Sequence, residues 1–358
     1  MSTADKLNKL LETKQAIKQA IINKGVDVSD DTVFADYPSK IDSIEGGGGN
    51  SYYEDLFNQR TNNGTDFTSL FESSSAKVLD VSKINTSNVT TMMNMFSGCQ
   101  YLESLDVSNF NTSKVWNMYQ MFHQCKNLES LDVSNFNTSN VTNMGGIFYQ
   151  CLNLKSINLS IFNTSKVTTM ADMFEYCQSL TSIDLSNFDT SKVTSMSYMF
   201  ANCTNLTSLD VSNFDTSNVT NMRNVFAYCS KLIEIKGLNN WNIEKVTSYN
   251  YVSDMFNKCS SLASLDVSSW DFSKFNTSTS LTMFEYCQSL VDFYPPQNIN
   301  AGLSLSQCTV LSHDSLIRIL NNLMTQSSTK TLTLGSTNLA KLTAEEIAIA
   351  TNKGWTVK

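Results

Sequence analysis

Cysteine is the residue type whose spacing most invites a chemical reading in this 358-residue chain, which holds nine. Cys99, Cys125, Cys151, Cys177, Cys203 and Cys229 recur every 26 residues, and Cys259, Cys287 and Cys308 follow after small changes of step. Thiols can ligate a metal, cross-link or attack an electrophile, but a metal site calls for paired ligands such as Cys-x-x-Cys, and no such pair is present. An odd number in a fixed register favours small buried thiols stacked in a core. Oxidation would turn neighbouring thiols into a disulfide ladder, which the pattern allows but does not need.

Other catalytic groups are sparse. The two histidines, His123 and His313, lie far apart in sequence and neither belongs to a recognisable nucleophile motif. The one glycine cluster, Gly46 to Gly49, does not join a strand to a helix as a phosphate loop would. Carboxylates are more regular: Asp80, Asp106, Asp132, Asp184, Asp210 and Asp266 share one outward repeat position, where Asn158 substitutes once. Paired carboxylates serve glycosidases, yet a ladder repeated without variation offers no unique acid and base. Flanking serines such as Ser104 and Ser108 would supply donors to offset the repulsion, with Ca²⁺ or a basic ligand as the alternative. The expectation is a non-enzymatic protein with no catalytic residue, no metal site and no cofactor.

Residues that vary within the repeat are not dictated by the fold, which makes them the candidates for recognition. Trp116, Tyr119, His123, Tyr149, Tyr176, Tyr198, Tyr228, Tyr251 and Tyr286 fall on or beside one segment of the unit, and tyrosine and tryptophan are the usual anchors of binding surfaces. Packing along that side is the competing reading.

The elements that position these groups follow from the period. Phe96, Phe122, Phe148, Phe174, Phe200, Phe226, Phe256 and Phe284 each precede a cysteine by three residues, and Phe71 opens the series. Val89, Met92, Met95, Phe96, Cys99 and Leu102 recur at steps of three and four, which predicts one face of a short helix. Residues 104–108 then alternate apolar and polar as a strand with one buried face. Turn formers fill residues 109–113, with Phe110 folding back into the core. Such a unit buries its apolar face only by stacking on its neighbours. The expected fold is an α/β solenoid of leucine-rich-repeat type over 65–308, a stack of strand and short-helix coils with one parallel sheet. About nine coils at the usual strand spacing of roughly 4.8 Å would make it roughly 40 Å long.

The unit L-D-V-S-N-F-N-T-S-N-V-T-N-M-G-G-I-F-Y-Q-C, Leu131 to Cys151, resembles those of the BspA-type leucine-rich-repeat surface proteins. That resemblance implies adhesion, on bacterial, protist or phage surfaces.

Two departures and two flanks complete the reading. The unit between Cys229 and Cys259 is four residues longer, so that coil should bulge, and two extra residues enter near Lys274 to Ser280 as an inserted loop. Tyr294-Pro295-Pro296 is expected to end the regular strands. Residues 309–358 read as a C-terminal cap: a helix over Ser312 to Met324, a strand over Thr331 to Leu334, and a helix begun by a Thr343/Glu346 capping box that stops near Gly354. Its last part, Lys330 to Lys358, resembles the closing segment of phage and gut-bacterial repeat proteins. Residues 1–45 read as a helical anchor, with Leu7, Leu10, Ile17 and Ile21 near heptad spacing, able to form a homo-oligomer such as a trimer. Residues 46–64 are the glycine hinge. The order of helix, hinge and body resembles the attachment ends of phage fibre and tail proteins.

Charge narrows the partners. With 16% charged residues and a net charge of -8 there is no basic block to track nucleic acid. No run reaches membrane-spanning length, and lysines interrupt the N-terminal helix in a way a signal peptide would not. The expectation is a virion protein, a phage fibre or decoration subunit that docks through residues 1–45 and binds a host-surface protein or glycan through the solenoid. A bacterial cell-surface adhesin is the alternative.

Overall fold

The computed structural model describes Gln15, residues 17–19 and residues 64–358. Gln15 and residues 17–19 are helical; the rest of the anchor, its oligomerisation and the glycine hinge lie outside the described residues.

From Gly64 onward the chain is a parallel solenoid of about 11 turns, more than the nine expected, resembling leucine-rich-repeat proteins. The repeat positions explain it directly. Val89, Met92, Met95, Phe96, Cys99 and Leu102 are all fully buried, as are their equivalents in later coils, and Phe110 does fold inward. Phenylalanine rings stack coil upon coil: Phe71 on Phe96 at 5.3 Å, Phe96 on Phe122 at 5.6 Å, and so on to Phe256 on Phe284 at 5.9 Å. Nearly parallel rings at this spacing both bury apolar area and fix the register of adjacent coils.

Little of the coil is helical, which corrects the expected short helix. Residues 93–98 are a run of turns. Alternate amides point to different partners: Met92, Asn94, Phe96 and Gly98 donate to carbonyls of the next coil, whereas Met95, Ser97 and Cys99 donate three residues back within their own. An α-helix would consume every amide internally and leave none for stacking. Every fourth residue, Asn94 and Gly98 here, adopts the left-handed conformation that makes this alternation geometrically feasible.

The single sheet is also broken. Parallel pairs join Val78–Leu79 to Ser104–Leu105, Ser208–Asp210 to Glu234–Lys236, and Ser264–Asp266 to Asp292–Tyr294. Between these pairs the coils still touch through single amide bonds such as Lys155 to the Glu129 carbonyl. A more continuous ladder runs elsewhere, one bridge per coil, through Asp66, Thr91, Asn117, Asn143, Thr169, Ser195 and Asn221.

Polar staples bind the coils at the corners. Thr138, almost wholly buried, donates its hydroxyl to the Asn163 carbonyl at 3.0 Å and accepts the Asn163 amide at 2.7 Å. Thr112, Thr164 and Thr190 donate to the next coil in the same way. The Asn135 side-chain amide reaches back to three carbonyls, of Val107, Ser108 and Phe110.

The longer unit after Cys229 absorbs its extra residues in two 3₁₀ turns, Leu238–Asn240 and Tyr249–Tyr251. Gly237 makes the first one feasible: its φ is +89°, and a Cβ there would lie 2.3 Å from the Ser212 backbone. The second insertion forms strand Thr277–Leu281 instead of a loop. That strand opens a four-stranded parallel sheet continued by Ala301–Ser304, Lys330–Thr333 and Trp355–Val357, so parallel pairing does not end at Pro295-Pro296. The C-terminal segment carries helices His313–Asn322 and Ala344–Thr351, the latter with the Thr343/Glu346 capping box, and a short helix at Ser336–Leu339. His313 Nε2 and Glu346 Oε1, 2.9 Å apart, link the first helix to the last.

Candidate functional site

The cysteine ladder is structural. Each thiol donates to the carbonyl of the phenylalanine one coil earlier: Cys125 to Phe96 at 3.3 Å, Cys203 to Phe174 at 3.1 Å, Cys287 to Phe256 at 3.2 Å. All nine are free and buried. Burial pushes the Cys151 and Cys229 thiols up to about 12, which leaves no thiolate for attack or metal binding near neutral pH.

The aspartate ladder closes turns. In every case Oδ1 accepts the amide of the serine two residues on, as Asp80 does from Ser82, Asp106 from Ser108, Asp132 from Ser134, Asp184 from Ser186, Asp210 from Ser212 and Asp266 from Ser268. Asn158 does the same with Ser160 at 3.0 Å, which explains why a neutral residue substitutes. The Ser134 hydroxyl and amide together hold Asp132 below the usual carboxylate range. Among the described residues no group of three His, Cys, Asp or Glu side chains is arranged to hold a metal ion.

The nine aromatic and histidine candidates do not form one stripe, because they occupy different rows of the coil. Trp116, half exposed, stands in a row otherwise made of Thr90, Thr142 and Thr168. Tyr119 lies beside the bridge ladder, where it packs next to Gly145. Tyr251 sits on the inserted 3₁₀ turn, and Tyr198 lies 6.0 Å from the Arg223 guanidinium. Two groups do come together.

One group is His123, Tyr149 and Tyr176. The His123 ring stacks on Tyr149 at 4.8 Å, and Tyr149 meets Tyr176 at 6.3 Å. The Ser97 hydroxyl lies 3.0 Å from His123 Nδ1, a pairing hidden from the sequence because the two are a full coil apart. Ser97 is buried, and the pair lacks the open approach that a nucleophile needs. Burial also holds His123 below its ordinary value, so it is neutral at physiological pH. Next in the same row is Glu175, hydrogen-bonded to Asp172; burial, then the Asp172 charge, pushes Glu175 up to about 8.

The other group is the stronger site. Tyr228 and Tyr286 flank Lys258, whose ammonium lies 4.6 Å from the first ring centroid and 5.7 Å from the second. These three and Asn202 are the residues immediately before Cys259, Cys229, Cys287 and Cys203, and Thr204, Ser230, Ser260 and Gln288 are the residues immediately after them. Because each cysteine points inward, both of its neighbours face out. Four coils therefore build two columns, one aromatic and cationic, the other hydroxyl and amide, around a groove of about 350 Å³. All four residues before the cysteines have φ between 61° and 64°, a conformation that costs a non-glycine residue about 1–2 kcal/mol. Lys258 was not among the sequence candidates. Its signal was present, as the variable residue preceding an invariant one.

A family model described as Mycoplasma protein of unknown function, DUF285, matches residues 65–180, 128–209, 150–252 and 205–298, together covering 65–298. The chain belongs to the DUF285 family. Its repeats are of the BspA-like leucine-rich kind, and the groove and both aromatic groups lie within the DUF285 span. No curated protein matches the chain. Among solved structures, a leucine rich cell surface protein from Faecalibacterium prausnitzii A2-165 is 17% identical with a TM-score of 0.25, over 69% of this chain and 79% of that one. A TLR13-ssRNA13 complex is 15% identical with a TM-score of 0.20, over 69% of this chain and 38% of that one.

Proposed function

We propose that this chain is a non-enzymatic binding protein displayed at a surface, and more specifically a virion fibre or decoration subunit. It docks through residues 1–45 and engages a host-surface protein or glycan with the solenoid. The observation that carries the reading is the groove at Tyr228, Lys258 and Tyr286. The repeated cysteine, phenylalanine and threonine positions are occupied in holding coils together and the aspartates in closing turns within them, whereas the variable positions beside the cysteines collect aromatic and cationic side chains in the open.

Two features support the finer form. Residues 1–45 resemble phage attachment segments, and nine unpaired thiols suit assembly in a reducing cytosol. The test is to probe producer cultures, separated into cytosol, washed cell surface and purified virus particles, with an antibody to the full chain. Signal copurifying with particles is expected. Signal on intact cells and none in particles sinks the virion form and leaves a cellular adhesin, while signal confined to cytosol sinks surface display altogether.

A further inference from the structure

The groove at the C-terminal half of the cysteine ladder has a composition that narrows its ligand. Lys258 presents three N–H donors, and among the described residues no carboxylate lies within ion-pair distance of it. Its ammonium is held between the faces of two tyrosines from the coils on either side, both about 40% exposed. A cation so placed is oriented by the rings yet keeps its charge available to an incoming anion. The neighbouring column is uncharged: Thr204, Ser230, Ser260 and Gln288. Two of its hydroxyls donate inward to the preceding coil, Ser260 to the Ser230 carbonyl at 3.1 Å and Ser230 to the Thr204 carbonyl at 3.5 Å. Those oxygens therefore face the groove as acceptors, while the Gln288 and Asn202 amides can both donate and accept.

Earlier coils show that the scaffold does not demand this arrangement. In the same row Gln124 and Gln150 close on each other, side chain to side chain, at 2.9 Å. Lys258 and its tyrosines stand instead where a simple amide ladder would satisfy the fold.

We propose that this groove binds a carboxylate-bearing glycan, a sialylated or uronic-acid oligosaccharide. The sugar carboxylate meets the Lys258 ammonium. The apolar C–H face of a pyranose ring packs against the exposed part of Tyr228 or Tyr286, and ring hydroxyls exchange hydrogen bonds with the hydroxyl and amide column. An aromatic and cationic column beside a row of neutral hydroxyl and amide groups suits a polyhydroxylated ring with a carboxylate better than an acidic peptide, whose backbone would seek an open strand edge. The inference rests on the surface-binding reading above and specifies its ligand.

The experiment uses the full chain on immobilised sialylated and uronic-acid oligosaccharides, each paired with its carboxyl-reduced counterpart, alongside an acidic peptide library and intact host cells. The variants are Lys258→Gln and Tyr286→Ala. Glutamine already occupies this row at positions 124 and 150 with the same backbone conformation, so the first variant folds, which a matched unfolding midpoint verifies. The expected result is binding to acidic glycans over their reduced partners, weakened about tenfold by Lys258→Gln and strongly by Tyr286→Ala. Equal binding to both members of each pair, or no effect of Lys258→Gln, overturns the proposal. Lys258-dependent binding to acidic peptides alone overturns it in favour of a peptide site. Host cells bound equally well by wild type and both variants, with no glycan bound, overturn it while leaving surface binding intact. Absence of binding to cells, glycans and peptides alike removes both readings.

Discussion

The Cys151 thiol donates to the Phe122 carbonyl of the preceding coil at 3.2 Å, and the same oxygen accepts the Cys125 amide at 3.2 Å. Both lone pairs of that buried oxygen are thereby used, one within the coil and one between coils. Cys151→Ala removes the second bond and leaves a small void, so it should destabilise the chain by about 1–3 kcal/mol. Denaturant unfolding of the variant beside wild type measures it, and an unchanged midpoint would show that neither the bond nor the filled volume contributes.

The same ladder predicts chemical inertness. A thiol-specific reagent at pH 8 should leave the native chain unmodified and label all nine cysteines once it is unfolded. Fast labelling of the native form would contradict the burial that pushes Cys151 and Cys229 up to about 12.

Thr138 joins two coils through one oxygen that donates to and accepts from Asn163. Thr138→Val keeps the shape and strands a backbone carbonyl and an amide, at a cost of about 2–4 kcal/mol. Thr138→Ser, which retains the hydroxyl, should lose much less. A loss in Thr138→Ser with none in Thr138→Val would mean that the methyl, not the hydroxyl, matters here.

Stability should fall as the pH rises through neutrality. Glu175 is pushed up to about 8 from an ordinary 4.5 by burial and then by Asp172. Between those values the folded chain holds a proton that the unfolded chain has released. The slope is therefore negative, at most about 1.4 kcal/mol per pH unit, with full stability below the window and the whole loss incurred above it. Asp172, raised chiefly by its own burial, adds in the same direction. Unfolding midpoints between about pH 5 and 8 should show the decline, and Glu175→Gln, which can still donate to Asp172, should flatten it.

At the aspartate ladder, Asp132→Asn should change little and Asp132→Ala should lower the unfolding midpoint measurably. What the position supplies is an oxygen acceptor for the Ser134 amide, as Asn158 already does for Ser160. A midpoint raised by Ca²⁺ in the wild type and not in Asp132→Asn would assign the carboxylates a cation-binding role instead.

The inward positions could be read from residue order alone. A phenylalanine three residues before each cysteine, at a constant step, has the same neighbours in every coil, so one burial argument serves all of them; Phe96, Phe122 and Phe148 are buried for the same reason. The serine beside each ladder aspartate was legible too, because that hydrogen bond spans only two residues. The threonine staples, the Ser97 and His123 pair and the Lys258 groove were not, since their partners lie a full coil away and chain order carries no trace of which side chains stacking will align. The apparent helix failed for a related reason: steps of three and four describe which residues face the core, but not where their amides point. Only the stacked structure decides that, by drawing alternate N–H groups to the next coil and turning the residue before each cysteine from Gln124 to Tyr286 into a left-handed corner, with its side chain toward solvent.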